Sequence, residues 1–162
     1  MSFGRVIAVL SLGMLTACDW RGSTTPAEVF CRRLDRGINL GNALESPRER
    51  SWGVTPRPEY FRLMRDAGFD AVRLPVRWSD YAATNAPYTI EPAFFATVDA
   101  AVQTALSSGL AVVLNVHHYE ELNNQPDAHR ERFLALWGQI AAHYREYPGI
   151  LAFELLNEPC RE

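Results

Sequence analysis

Four short apolar runs, Gly37 to Gly41, Asp70 to Pro75, Leu110 to Val116 and Ile150 to Leu156, recur along the chain, and the stretches between them carry helical periodicity. Pro58 to Ala67 places Tyr60, Phe61, Met64 and Ala67 on one helical face, with Gly68 set to end the helix. Pro92 opens a second helix whose apolar positions run through Val98, Ala101, Val102 and Ala105 to a stop at Gly109. Asp127 to Tyr147 predicts a third, with Phe133, Leu136, Trp137, Ile140 and Tyr144 facing inward and Pro148-Gly149 behind it. The order β-α-β-α-β-α-β, with strands apolar nearly throughout, requires a parallel sheet covered by helices. Two α/β architectures meet that requirement: an open doubly wound sheet, and a (β/α)8 TIM barrel of which this chain holds about the first half. No Gly-x-Gly-x-x-Gly follows the first strand, which removes the main support for a dinucleotide-binding open sheet.

The strand exits favour the barrel. Asn39, Asn42 and Glu45 follow the first strand, Arg73 lies on the second, His117 and His118 follow the third, and Asn157 and Glu158 follow the fourth. In a parallel barrel all four exits open on one rim, where such enzymes assemble their sites. Arg73 alternates with Val72 and Leu74, and a guanidinium inside a parallel sheet needs a carboxylate or carbonyl partner. Glu154, on the same strand face as Leu156 and Glu158, is the candidate, which leaves a structural ion pair and a functional role both open for Arg73. His117 and His118 are neighbours on a strand, so their side chains are expected on opposite sides, and no His-Glu-x-x-His spacing occurs; both argue against a metal site. Glu158 ends an apolar strand, where partial desolvation would raise its pKa towards that of a general acid. Asn157 beside it offers a neutral amide, and Pro159 fixes the exit turn. A carboxylate capping a following helix is the other reading of Glu158.

Composition excludes further chemistry. All sixteen basic residues are arginine, so no Schiff-base, pyridoxal-phosphate or Walker-type lysine is available, and a net charge of −3 gives no basic stripe for nucleic acid. The chain opens with Arg5, an apolar run from Val6 to Leu15, and Leu15-Thr16-Ala17-Cys18. This is the layout of an export signal, and a run this short does not span a bilayer as a helix. Its end resembles the bacterial lipobox, in which the cysteine carries the lipid. The expected organisation is a signal with a lipobox-like end over residues 1–18, a tether over 19–33 and a barrel domain over 34–162, in an exported protein that is either anchored to a membrane through a lipid on Cys18 or, with a plain signal peptide, secreted. Export permits a disulfide between Cys31 and Cys160, and the sequence leaves that pairing open.

Four motifs occur in register: Arg36-Gly37-Ile38-Asn39-Leu40-Gly41-Asn42-Ala43-Leu44-Glu45, Val72-Arg73-Leu74-Pro75-Val76-Arg77-Trp78, Asn115-Val116-His117-His118-Tyr119-Glu120-Glu121-Leu122 and Phe153-Glu154-Leu155-Leu156-Asn157-Glu158-Pro159. Together they resemble glycoside hydrolase family 5, the cellulase and mannanase family, over nearly all of residues 34 to 160. The resemblance is strongest to the branch acting on β-1,4-linked glucans. It implies retaining hydrolysis by two carboxylates roughly 5 to 5.5 Å apart, with no cofactor or metal. By that resemblance Glu158 is the acid/base, Asn157 binds the hydroxyl next to the anomeric carbon, Arg73 orients the nucleophile, and His117 completes the catalytic group. His118, Asn42 and Glu45 would bind sugar, while Trp52 or Trp78 would stack on a pyranose or pack in the core. The family's nucleophile lies near the end of the seventh strand, and a barrel takes about 250 residues. The expectation is therefore an N-terminal half without its nucleophile, inactive alone, with a non-catalytic carbohydrate-binding lipoprotein as the alternative.

Overall fold

The structure is a computed structural model that describes residues 25, 28, 31, 32, 34–49 and 52–159. The expected signal, the lipidation at Cys18, most of the tether and Cys160 lie outside the described residues. Strands β1 (Gly37–Asn39), β2 (Ala71–Leu74), β3 (Ala111–Asn115) and β4 (Leu151–Glu154) form one parallel sheet in the order of the chain. Helices α1 (Pro58–Asp66), α2 (Pro92–Ser107) and α4 (Pro126–His143) are the crossovers. A short helix, α3 (Glu120–Asn124), and a 3-10 turn over Trp78–Tyr81 were not legible, because both follow polar strand exits and are too short to show a period.

Each long helix starts on a proline, where the missing N–H costs no hydrogen bond. Gly68 and Gly109 follow α1 and α2 at φ of +87° and +81°, the left-handed stop that a side chain resists. The last predicted helix ends earlier than Tyr147: Tyr144 caps α4, and the Tyr147 N–H turns back onto the Tyr144 carbonyl. The strands, too, are shorter than their apolar runs, since ladder pairing stops before the exits.

Register decides what each sheet face carries. Asn39, Arg73, Val113 and Ala152 are lateral neighbours across the four strands, and Asn115 pairs with Glu154. Parallel partners point the same way, so Asn39, Arg73, Asn115 and Glu154 share one face. The opposite face presents Val72, Leu74, Val112, Leu114 and Leu151, all buried beneath the helices. Val98, Val102, Leu136 and Ile140 pack from α2 and α4 and are fully buried, each contributing roughly 1.5–3 kcal/mol.

One polar residue crosses that apolar layer. Arg132 of α4 is buried, and its guanidinium donates to the carbonyls of Ser79 at 2.7 Å, Ala82 at 2.9 Å and Ala83 at 3.2 Å, and to the Tyr119 hydroxyl at 3.3 Å. It thereby ties the segment after β2 to α4 without a carboxylate. Replacing Arg132 with Met leaves these carbonyls buried and unpaired, so the urea midpoint should fall by the equivalent of about 2–4 kcal/mol. Arg132→Lys should recover little of that loss, because one ammonium cannot reproduce the planar fork.

Candidate active site

A guanidinium has five hydrogens to donate and accepts none. Arg73 gives two of them to Glu154, Nε to Oε2 at 2.6 Å and Nη2 to Oε1 at 2.7 Å. Nη2 also donates to Asn157 Oδ1 at 2.8 Å, and Nη1 to Asn39 Oδ1 at 3.0 Å. Four donors are thus committed and one Nη1 hydrogen is left over. Because Asn157 turns its oxygen to Arg73, its amide nitrogen is free to donate elsewhere. The ion pair expected of Arg73 with Glu154 is present, and the same guanidinium sets the orientation of the Asn157 amide. The Arg73 hydrogen bonds, above all, hold the Glu154 carboxyl below its ordinary pKa, against the opposing effect of burial.

Asn115, at the end of β3, is fully buried. Its Oδ1 accepts the Val76 N–H at 3.3 Å, its Nδ2 donates to Glu154 Oε1 at 3.2 Å, and the same nitrogen lies 3.1 Å from His117 Nδ1. Burial lowers the pKa of His117 to about 4, with smaller contributions from His118 and Arg73 in the same direction. The expectation that His117 and His118 point apart is corrected. The ladder ends at Asn115 and His118 takes φ of +50°, so the two rings meet at right angles with centroids 4.4 Å apart. Trp52 meets His118 edge-on at 5.8 Å and is 42% exposed, open to a ligand. Among the described residues no group of three His, Cys, Asp or Glu side chains could hold a metal ion.

Among the described residues, three of the four non-glycine residues with positive φ stand at strand exits: Asn42 at +62°, His118 at +50° and Glu158 at +42°. Such backbone costs of order 1–3 kcal/mol per residue and gathers at functional sites. The exit of β4 is fastened to that of β3 by the Asn157 N–H on the Val116 carbonyl at 3.0 Å. Glu158 follows it, close enough to Arg73 for its charge to raise the arginine's pKa. The desolvation expected of Glu158 is not found: the residue is exposed, because no described residue covers the β4 exit.

Two expected sugar ligands have other tasks. Glu45 is buried and accepts the backbone N–H groups of Asn42 at 2.5 Å and Ala43 at 2.9 Å, closing the loop after β1. Gly41 permits that fold-back, since a Cβ there would stand 3.3 Å from Glu45 Oε1. Trp78 is wholly buried and donates Nε1 to the Asn115 carbonyl at 3.0 Å, so of its two readings core packing holds. Asn42 remains at the rim, placed by the loop that Glu45 closes. Asn115 was missed as a site residue, because a single amide that ends an apolar strand carries no sequence signal of its three partners.

The family described as cellulase, glycosyl hydrolase family 5, matches residues 35–162. Endoglucanase Cel5A from the hyperthermophilic Thermotoga maritima superposes with a TM-score of 0.80 at 54% identity, over 84% of this chain and 44% of that one. Structures of that enzyme in complex with cellobiose and with mannotriose match similarly. Among curated relatives, endoglucanase H of Acetivibrio thermocellus is 38% identical over 79% of this chain and 14% of its own length. A xyloglucan-specific endo-β-1,4-glucanase of Bacteroides ovatus is 38% identical over 75% and 28% respectively. The chain thus spans less than half the length of each. The likeness bears out the barrel reading of the fold, of which the described residues supply four strands.

Acid stability should report on this network. Between pH 6.5 and about 4 the unfolded chain protonates His117 while the folded one does not, so stability falls as pH is lowered through that window. Glu154 has the depressed folded pKa of a paired carboxylate; its contribution is present above the ordinary value of 4.5 and is lost as pH falls further. In urea midpoints against pH, His117→Gln should flatten the upper window. Glu154→Gln should lower stability at pH 7 and flatten the decline below 4.5.

Proposed function

Since the chain belongs to glycosyl hydrolase family 5, we propose that it carries the acid/base half of a retaining endo-β-1,4-glucanase site. The observation that carries this reading is the Arg73 fork, which turns the Asn157 amide beside Glu158 at the β4 exit. Glu158 protonates the leaving glycosidic oxygen and then, as carboxylate, takes a proton from the attacking water. Asn157 donates from Nδ2 to the hydroxyl beside the anomeric carbon. His117, His118, Asn42 and Trp52 line the sugar subsites, with Trp52 offering its ring to a pyranose face. The similarity to an endoglucanase and to a xyloglucan-specific endo-β-1,4-glucanase, and the cellobiose and mannotriose complexes of Cel5A, support a β-1,4-linked polysaccharide as substrate.

Retaining hydrolysis needs a second carboxylate, roughly 5 to 5.5 Å from the acid/base and free to attack the anomeric carbon. Among the described residues the nearby carboxylates are engaged, Glu154 in the Arg73 fork and Glu45 in its own loop. The nucleophile is then supplied from outside the described residues and received by the remaining Arg73 hydrogen, and the described strands by themselves bind without cutting. Export with a lipid anchor at Cys18 fits a polysaccharide substrate met outside the cell.

Reducing-sugar release from a soluble β-1,4-glucan tests this. The 162-residue chain should release none. Joined to the remaining strands of Thermotoga maritima Cel5A, it should hydrolyse the glucan, and Glu158→Gln should lower that rate about 10²–10⁴-fold. Hydrolysis by the 162 residues alone, abolished by Glu158→Gln, would overturn the division of the site. Glucan binding by a folded chimera that cuts nothing would favour a carbohydrate-binding lipoprotein.

A further inference from the structure

We propose that Asn115 is a positioning residue that fixes His117 as its Nε2–H tautomer, so that the site meets its ligand with a hydrogen-bond donor at that ring atom. The argument rests on which groups can only donate and which can only accept. The Val76 backbone N–H can only donate, so the Asn115 atom facing it at 3.3 Å is the oxygen. The Glu154 carboxylate, gripped by both arms of Arg73, accepts, so the Asn115 atom facing it at 3.2 Å is the nitrogen. These two constraints come from different strands and agree on one orientation of the amide.

With that orientation set, one Nδ2 hydrogen lies on Glu154 and the other is directed at His117 Nδ1, 3.1 Å away. A donor there requires Nδ1 to be the acceptor. The ring hydrogen then sits on Nε2, which bonds to no described residue. An imidazolium would set N–H against N–H and forfeit the bond. The charged and titratable groups that bear on the ring are His118, whose ring is perpendicular at 4.4 Å, together with Arg73, Glu45 and Glu154. The two carboxylates favour a cation at His117, and Arg73 and His118 oppose it.

The chain of consequence runs from Arg73 through Glu154 and Asn115 to His117. The guanidinium that turns the Asn157 amide outward also determines, two residues removed, where the imidazole carries its proton. Both groups then offer N–H to oxygen acceptors, a pattern suited to hydroxyls or to a carboxylate. Their use on a sugar rests on the function proposed above, whereas the tautomer does not.

Long-range proton–nitrogen correlation spectra of the full chain, labelled with ¹⁵N-histidine and recorded near neutral pH without carbohydrate, test the assignment. His117 is identified by the signal lost in His117→Gln. The expected pattern is a neutral ring protonated on Nε2; a ring protonated on Nδ1, or an imidazolium, overturns the proposal. Asn115→Asp replaces the donor with an acceptor. It should move the proton to Nδ1 and raise the ring's titration midpoint by about one to three pH units. An unchanged Nε2–H pattern in that variant would also overturn the proposal, because a purely structural Asn115 would alter stability and leave the tautomer alone. Should Asn115→Asp not fold, the spectrum of the unaltered protein decides by itself. Loss or absence of glucan hydrolysis bears on the proposed function and leaves the tautomer result standing.

Discussion

An arginine side chain cannot accept a hydrogen bond, and placing one in the middle of a parallel sheet dictates the orientation of everything around it. Arg73 projects from β2 on the face shared with Asn39, Asn115 and Glu154. Each partner it touches must turn an oxygen towards it: both oxygens of Glu154, and the amide oxygens of Asn39 and Asn157. Glutamate then has capacity to accept from Asn115, and Asn115 in turn faces His117. The polarity of one side chain thus passes across all four strands. Removing Arg73 would leave Glu154 without its counter-ion and free both asparagines to flip, so loss of the site would reach well beyond one contact.

Sheet register is what allows a single guanidinium to do this. Because the strands are parallel and pair in sequence order, Asn39 lies beside Arg73, and Asn115 lies beside Glu154. A slip of β2 by one residue would send Arg73 to the helix-covered face beside Val112 and Leu114 of β3, and Val72 and Leu74 to the polar face. The hydrophobic layer under the helices and the polar network above it therefore specify the same register from opposite sides. Positive φ at Asn42, His118 and Glu158 follows from the same arrangement. The chain must turn sharply where each strand leaves the ladder, and the side chains at those turns are the ones aimed back over the rim.

The strands and helices were legible because their periodicity is strong and proline and glycine mark the ends, as at Pro58, Gly68, Pro92 and Gly109. The ion pair of Arg73 with Glu154 was legible for a related reason: alternation assigns each to a face, and a buried guanidinium needs a partner. Alternation failed at His117 and His118, since it holds only while a strand continues and β3 ends two residues earlier. Glu45 was expected as a ligand from the family resemblance, and Trp78 as either a stacking ring or a core residue. Their actual tasks depend on loop backbone and on an indole reaching across to the Asn115 carbonyl, neither of which leaves a periodic trace. Asn115 was overlooked for the opposite reason: a single amide at a strand end looks ordinary until its three partners are known.

Glu158 shows how far four strands can take the chemistry. Its neighbour Asn157 is already oriented and its backbone already strained, yet the carboxyl stands in water, with Phe153 and Leu155 exposed on the strand that leads to it. Covering the β4 edge with further apolar structure would strip that water away. It would also strengthen the attraction of Arg73 for any carboxylate placed against its remaining hydrogen. Burial beside a fixed positive charge is how a protein moves two neighbouring carboxyl groups apart in acidity. That separation is the electrostatic requirement of a retaining glycosidase. The described strands supply an oriented amide at Asn157 and, on Arg73, one donor not committed to a described residue.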